Sequence, residues 1–239
     1  NSVGLRLDDV VLKKYKVSLA DNAKNVELLK YIKDEDKVDE KSSYIELGLL
    51  GSNDNTSFFP TNMTKWKVDS KSQNSITLSW TNSQNVRFVR TLSFDENYML
   101  TVKDKVINNS NIDVEFFPYA RVVQSVDMTK QITSSHTGFV GFLDGNLEEY
   151  KYSSIASSKT REFNSKDGWL GFGSDYFMTM LVPEENNKNF TARVLELSDP
   201  SIPNPNGKSN IRQFQADYVR DMISVAPHKS EEVVSYVYI

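Results

Sequence analysis

The chain has 239 residues, enough to bury about 70–75% of its extended surface without a metal or disulfide staple. It contains no cysteine, which excludes disulfides, thiol nucleophiles and zinc–thiolate or iron–sulfur chemistry together. Its 28 Lys and Arg are scattered among 32 Asp and Glu, for a net charge of -4, and such a chain lacks the electrostatic footprint of a nucleic-acid binder.

The opening "VGLRLDDVVLKKY" (3–15) is strand-like. In "DNAKNVELLKYIKDEDK" (21–37), Val26, Leu29 and Ile32 stand at helical spacing and Asp21 or Asn22 can cap, yet "VELLKYI" equally suits a strand. The acidic run "KDEDKVDEK" (33–41) lacks the glycine pivot and the frame of a calcium loop and reads as solvated charge. From there the dominant period is two. Ile76, Leu78 and Trp80 alternate with serines and threonine in "SITLSW". "VRFVRTLSF" places Val86, Phe88, Leu92 and Phe94 on one face with Arg90 as the exception, and "YMLTVKDKV" groups Tyr98, Leu100, Val102 and Val106. The short "DEN" (95–97) between them predicts a hairpin. "IDVEFFPYARVV", "FTARVLEL" and the closing "EVVSYVYI" are further β-rich runs, and "GSNDNTS", "INNSN" and "FLDGN" supply turns. Strand follows strand without intervening helices, so the expectation is a large antiparallel sandwich rather than a βαβ sheet. No internal repeat or domain boundary stands out, and residues 1–239 read as one domain. No stretch approaches the ~20 apolar residues of a membrane helix. Both ends read as cut from a longer protein.

The candidate chemistry is sparse. His136 in "TSSHTGF" and His228 in "APHKSEE" have no second histidine or carboxylate at i+3 or i+4, so both read as loop residues. "GKS" (207–209) has Ile202 where a phosphate-binding loop needs its first glycine. The four Asn-X-Ser/Thr matches, at Asn55, Asn62, Asn108 and Asn189, are what chance provides in a chain rich in Asn and Ser. "FFPYARVV" is more suggestive. As a strand it puts Phe117, Tyr119 and Arg121 on one face, a cation beside two aromatics that can line a groove for peptide or sugar, or simply pack with a snorkelling arginine.

"GWLGFGSDYFMTMLVPEEN" (168–186) poses the same choice between site and core. Tyr176, Met178, Met180 and Val182 alternate with Phe177, Thr179 and Leu181, a strand apolar on both faces and so expected at the centre of the sandwich. Gly168, Gly171 and Gly173 permit a sharp turn ahead of it. We read the segment as core, with Gly168, Trp169, Tyr176, Phe177 and Pro183 as its structural marks.

This C-terminal half resembles the large periplasmic domain of the YidC-type bacterial membrane-protein insertase. The resemblance rests on Lys151-Tyr152, then Gly168-Trp169, Tyr176-Phe177, Pro183 and Asn189-Phe190-Thr191-Ala192, over about 45 residues. "LRLDDVVLKKY" is similar to the family's first strand pair and "PHKSEEVVSYVYI" to its last strand. The resemblance implies an all-β β-supersandwich of two large antiparallel sheets, like aldose mutarotases in architecture and with little helix. It implies a place on the periplasmic side of the bacterial inner membrane, between the first two membrane helices of a multi-pass parent. It also implies a non-catalytic role without cofactor: an interaction surface for the Sec translocon, its accessory subunits and nascent membrane proteins. The family's membrane-embedded core has no counterpart in these residues, so the insertion step itself is not expected here. The rival expectations are a carbohydrate- or peptide-binding module on the Phe117, Tyr119 and Arg121 face, and a mutarotase-like enzyme. The enzyme needs an acid and a base facing each other across a cleft, and only two histidines are on hand.

Overall fold

The computed structural model describes residues 3–30, 42–52, 58–129, 137–158, 160–174, 176–184, 189–197 and 211–239. A two-stranded arm, β1 (Val10–Lys16) with β2 (Asn25–Leu29), comes first, followed by β3 (Tyr44–Gly51). Then β4 (Lys67–Lys71), β5 (Ser75–Thr81), β6 (Val86–Phe94) and β7 (Met99–Asn108) run as successive antiparallel neighbours. The predicted hairpin joins β6 to β7, and the Asp95 carboxylate accepts the backbone N–H of Asn97 and Met99 at 2.8 and 2.9 Å. After the long β8 (Val114–Asp127) come β9 (Gly138–Leu143), β10 (Asn146–Lys151) and the five-residue helix α1 (Tyr152–Ala156). The chain ends with β11 (Arg161–Ser165), β12 (Gly168–Gly173), β13 (Met178–Pro183), β14 (Phe190–Glu196), β15 (Ile211–Arg220), β16 (Ile223–Val225) and β17 (Ser230–Tyr238).

These strands form two large antiparallel sheets. The nine-stranded sheet has the order β10-β9-β12-β13-β17-β7-β6-β5-β4, and the six-stranded sheet β11-β14-β15-β8-β16 carries β3 on the other side of β8. Their apolar faces meet. Leu100, Val102, Leu170, Leu181 and Val237 of the larger sheet pack on Ile45, Ala120, Val122, Phe214 and Ala216 of the smaller one. A second cluster joins Val86, Phe88 and Val106 to Val114, Phe116 and Leu49. The expected two-sheet all-β architecture is therefore present, and no helix among the described residues is long and apolar enough to cross a membrane.

Two expectations are corrected. The helical reading of 21–37 gives way to β2, because Val26 and Leu29 pair with Leu12 and Val10 of β1 and Leu29 is buried in the core. Local helical spacing lost to a tertiary partner, while residues 31–41 with their acidic run lie outside the described residues. The second correction concerns the Gly-Trp segment. β13 does lie inside the larger sheet, between β12 and β17, but it begins at Met178. Tyr176 stands in the preceding turn, closed by a Ser174 N–H donating to the Phe177 carbonyl at 2.8 Å, and is 88% exposed. Phe177 and Trp169 are half-buried, Pro183 is buried, and the core positions of β12 are Leu170 and Phe172. Gly168 has φ +112°, and a Cβ there would lie 1.8 Å from the Phe142 carbonyl oxygen, so only glycine lets β12 start against β9.

Candidate binding face

β8 turns Phe116, Ala120 and Val122 inward, leaving Phe117, Tyr119 and Arg121 together on the outer face of the six-stranded sheet, all half-buried. Strand pairing then adds what the sequence alone does not. The register aligns Glu46 of β3 with Arg121 of β8, Arg121 with Asp217 of β15, Asp217 with Arg193 of β14, and Arg193 with Glu162 of β11. One residue from each of five adjacent strands thus forms a line across the sheet, alternating acid and base. Cross-strand neighbours on one face sit roughly 5 Å apart, close enough for opposite charges to stabilise each other.

Glu46 is the most densely held member. Its carboxylate accepts from Arg6 Nε at 2.8 Å, from the Tyr119 hydroxyl at 2.7 Å and from Arg121 Nη2 at 3.0 and 3.1 Å. Burial alone pushes its carboxyl upward, but the Tyr119 hydrogen bond, the Arg121 charge and the Arg6 hydrogen bond together hold it below the ordinary value of 4.5. Burial and the neighbouring Glu46 carboxylate push the Tyr119 phenol upward, so it remains a donor. Tyr119 reaches Glu46 because its ring lies across Gly48, where an added Cβ would stand 2.5 Å from Cε1. The Tyr44 ring receives the Arg6 guanidinium at 4.0 Å and that of Arg121 at 5.6 Å. Further along the line, buried Asp217 accepts from Arg193 Nε at 2.9 Å and Nη2 at 2.8 Å and from the Gln215 amide at 2.6 Å.

Chemically this is a surface of satisfied ion pairs. A carboxylate held by three donors is a poor proton acceptor. Two polar atoms stand apart. Arg121 Nε and Gln215 Oε1 are buried without a hydrogen-bond partner. Phe117 and its register partner, the exposed Leu50, give the face an apolar margin.

The structure therefore brings the three predicted residues together and adds Glu46, Arg193, Gln215 and Asp217. A signal for the last two was present in "IRQFQADYVR", where Gln213, Gln215 and Asp217 alternate with Phe214, Ala216 and Tyr218. His228 occupies the turn before β17 with φ +59°, and His136 lies outside the described residues. Among the described residues no group of three His, Cys, Asp or Glu side chains is placed to hold a metal ion.

Comparison with known proteins gives fold and family separately. A galactose mutarotase-like protein from Lactobacillus casei superimposes with a TM-score of 0.61 at 10% identity, covering 100% of this chain and 95% of that one. A galactose mutarotase related enzyme from Lactobacillus acidophilus gives 0.56 at 9% identity, covering 82% of both chains. At such identities the likeness is one of fold. In sequence, the membrane protein insertase YidC of Rickettsia rickettsii (strain Iowa) is 29% identical over 240 residues, covering 98% of this chain and 40% of that protein. The Rickettsia bellii protein of the same name is 30% identical over 233 residues, covering 94% and 38%. The chain thus spans about two fifths of the length of these relatives. The family model described as the YidC periplasmic domain matches residues 1–239 in full, and the chain belongs to that family.

Proposed function

We propose that this chain is the non-catalytic, periplasmic part of an inner-membrane insertase, acting as one body. It holds extended segments of nascent membrane proteins, or of translocon partners such as the Sec subunits, against the outer face of its six-stranded sheet. The observation that supports this reading is the apolar margin of Phe117 and the exposed Leu50, set beside a line of alternating charges that crosses five strands. Phe117 and Leu50 accept an apolar side chain of such a segment, and the line of charges beside them meets its polar groups.

The test is site-specific photocrosslinking in the intact insertase. A photoreactive residue at Leu50 is expected to capture arrested membrane proteins with periplasmic segments, and Phe117→Ser to weaken capture several-fold. Capture that is absent, or indifferent to that substitution, overturns the reading. The mutarotase fold of the structural neighbours raises sugar chemistry as the alternative. Hexose binding followed by tryptophan fluorescence, or mutarotation faster than buffer in a polarimeter, would replace the proposal.

A further inference from the structure

At one end of the nine-stranded sheet, three separate chain segments present aromatics to solvent. They are the β6–β7 turn with Phe94 and Tyr98, the β12–β13 turn with Tyr176, and the end of β17 with Tyr238. The β1–β2 arm crosses this end. Val11 and Tyr15 share a hollow of about 280 Å³ with Phe94, Tyr98 and Ile239, and the Tyr15 ring meets Phe177 edge-on at 5.4 Å. Beyond Tyr15 the arm continues to Val17 and Leu19, and Leu19 is fully exposed. Exposed apolar side chains gathered at one end, rather than scattered, mark a contact surface.

Two details indicate what the surface contacts. Tyr98 is held at φ +64°, a conformation costly for an aromatic residue, and its carbonyl is pinned by the Ile239 N–H at 3.3 Å. The turn thus keeps an aromatic pointed outward where a smaller residue would be relaxed. The arm, moreover, is basic in an acidic chain. From Val10 to Leu29 it carries Lys13, Lys14, Lys16 and Lys24 against Asp21 and Glu27, a net +2 where the chain as a whole is -4. In the β6–β7 turn the Asp95 carboxylate is taken up by its own turn, while Glu96 beside it is exposed. Tyrosines with an apolar body and a polar tip, flanked by lysines and extended by an exposed leucine, suit the headgroup level of an anionic bilayer. A protein partner is less well matched, because three separate segments form a rim with no single deep groove.

We propose that this end of the molecule is a lipid-contact surface: the β1–β2 arm and the aromatic rim rest on an anionic membrane, with Val17 and Leu19 entering the headgroup region and Lys13, Lys14 and Lys16 pairing with lipid phosphates. The proposal is independent of the binding face on the other sheet, which points to a different ligand.

Vesicle flotation of the 239-residue chain tests it, using phosphatidylcholine alone and phosphatidylcholine with a quarter phosphatidylglycerol. The chain is expected to float with the anionic vesicles and to be released by salt. Lys13→Gln with Lys14→Gln is expected to weaken flotation roughly tenfold. Leu19→Ser with Val17→Ser is expected to do likewise, and both pairs are exposed and leave the circular dichroism unchanged. Flotation that is absent, equal on both vesicle types, or unaffected by either pair overturns the proposal. So does a concentration-dependent dimer in sedimentation that Leu19→Ser abolishes while no lipid binds, which assigns the rim to a second copy.

Discussion

Arg90 and Asp104 face each other from adjacent strands inside the sandwich, with Nε–Oδ1 at 2.7 Å and Nη2–Oδ2 at 2.8 Å, and Arg90 Nη1 crosses to the Leu47 carbonyl of the opposite sheet at 2.9 Å. This buried fork is the polar link between β6–β7 and β3. Removing one partner leaves a charge without its counterion in a dry place, whereas removing both removes the problem. Arg90→Met is therefore expected to cost about 3–5 kcal/mol. Arg90→Met with Asp104→Leu should recover most of that, less about 1–3 kcal/mol for the Leu47 carbonyl left without its donor. Urea unfolding of the single and double variants decides the matter. A double variant as unstable as the single one would mean that the arginine acts by packing rather than by charge.

Glu46 makes stability depend on pH in a defined direction. Its carboxyl is held below 4.5 in the folded chain, so the unfolded state takes up the proton first as pH falls. Its contribution is complete above about 4.5 and is lost as pH drops through the folded value. Glu46→Gln should therefore destabilise the chain at pH 7, and the difference from the parent should shrink towards pH 3. Unfolding free energies at several pH values measure this, and a difference that stays constant would sever Glu46 from the acid response.

Gly48 and Tyr119 form a matched pair. A methyl group at 48 meets the Tyr119 ring at 2.5 Å, so Gly48→Ala must lift the ring and weaken its hydrogen bond to Glu46. The expected loss is about 1–3 kcal/mol. In the Tyr119→Ala background the same change should cost much less, because no ring is left to displace. Additive losses in that double-mutant cycle would place the strain elsewhere.

Much of the fold was legible because alternation is a local property. The strands from Ser75 to Asn108 and their "DEN" hairpin follow from period two alone, and so does the shared face of Phe117, Tyr119 and Arg121. What sequence does not hold is register. The line from Glu46 to Glu162 joins residues 116 positions apart along the chain, brought together by β3, β8, β15, β14 and β11. Arg90 looked like a break in an apolar face because its partner, Asp104, lies on the next strand. Tyr176 misled for the opposite reason. Its alternation with Met178 is real, but the hydrogen bond from Ser174 to Phe177 closes a turn first, and the pattern runs past the strand's actual start.

Tyr218 ties the two sheets at a second point. Its hydroxyl donates to Ser235 Oγ at 2.9 Å, from β15 to β17, and burial pushes its phenol up to about 12. Burial likewise raises Tyr152, whose ring packs at a tilt against Phe214 with centroids 4.7 Å apart. Both are kept neutral in the folded chain and ionise near 10 once unfolded. Their contribution is therefore complete below pH 10 and is lost as pH rises through the folded values, since the unfolded state releases its protons first. Ultraviolet titration should show a cooperative step in phenolate absorbance when Tyr218 and Tyr152 ionise with unfolding. Tyr218→Phe should cost about 1 kcal/mol at pH 7, from the unpaired Ser235 hydroxyl, and should flatten the loss of stability between pH 10 and 12. A smooth titration of all 11 tyrosines with the β-sheet circular dichroism intact would show that neither phenol is sealed between the sheets.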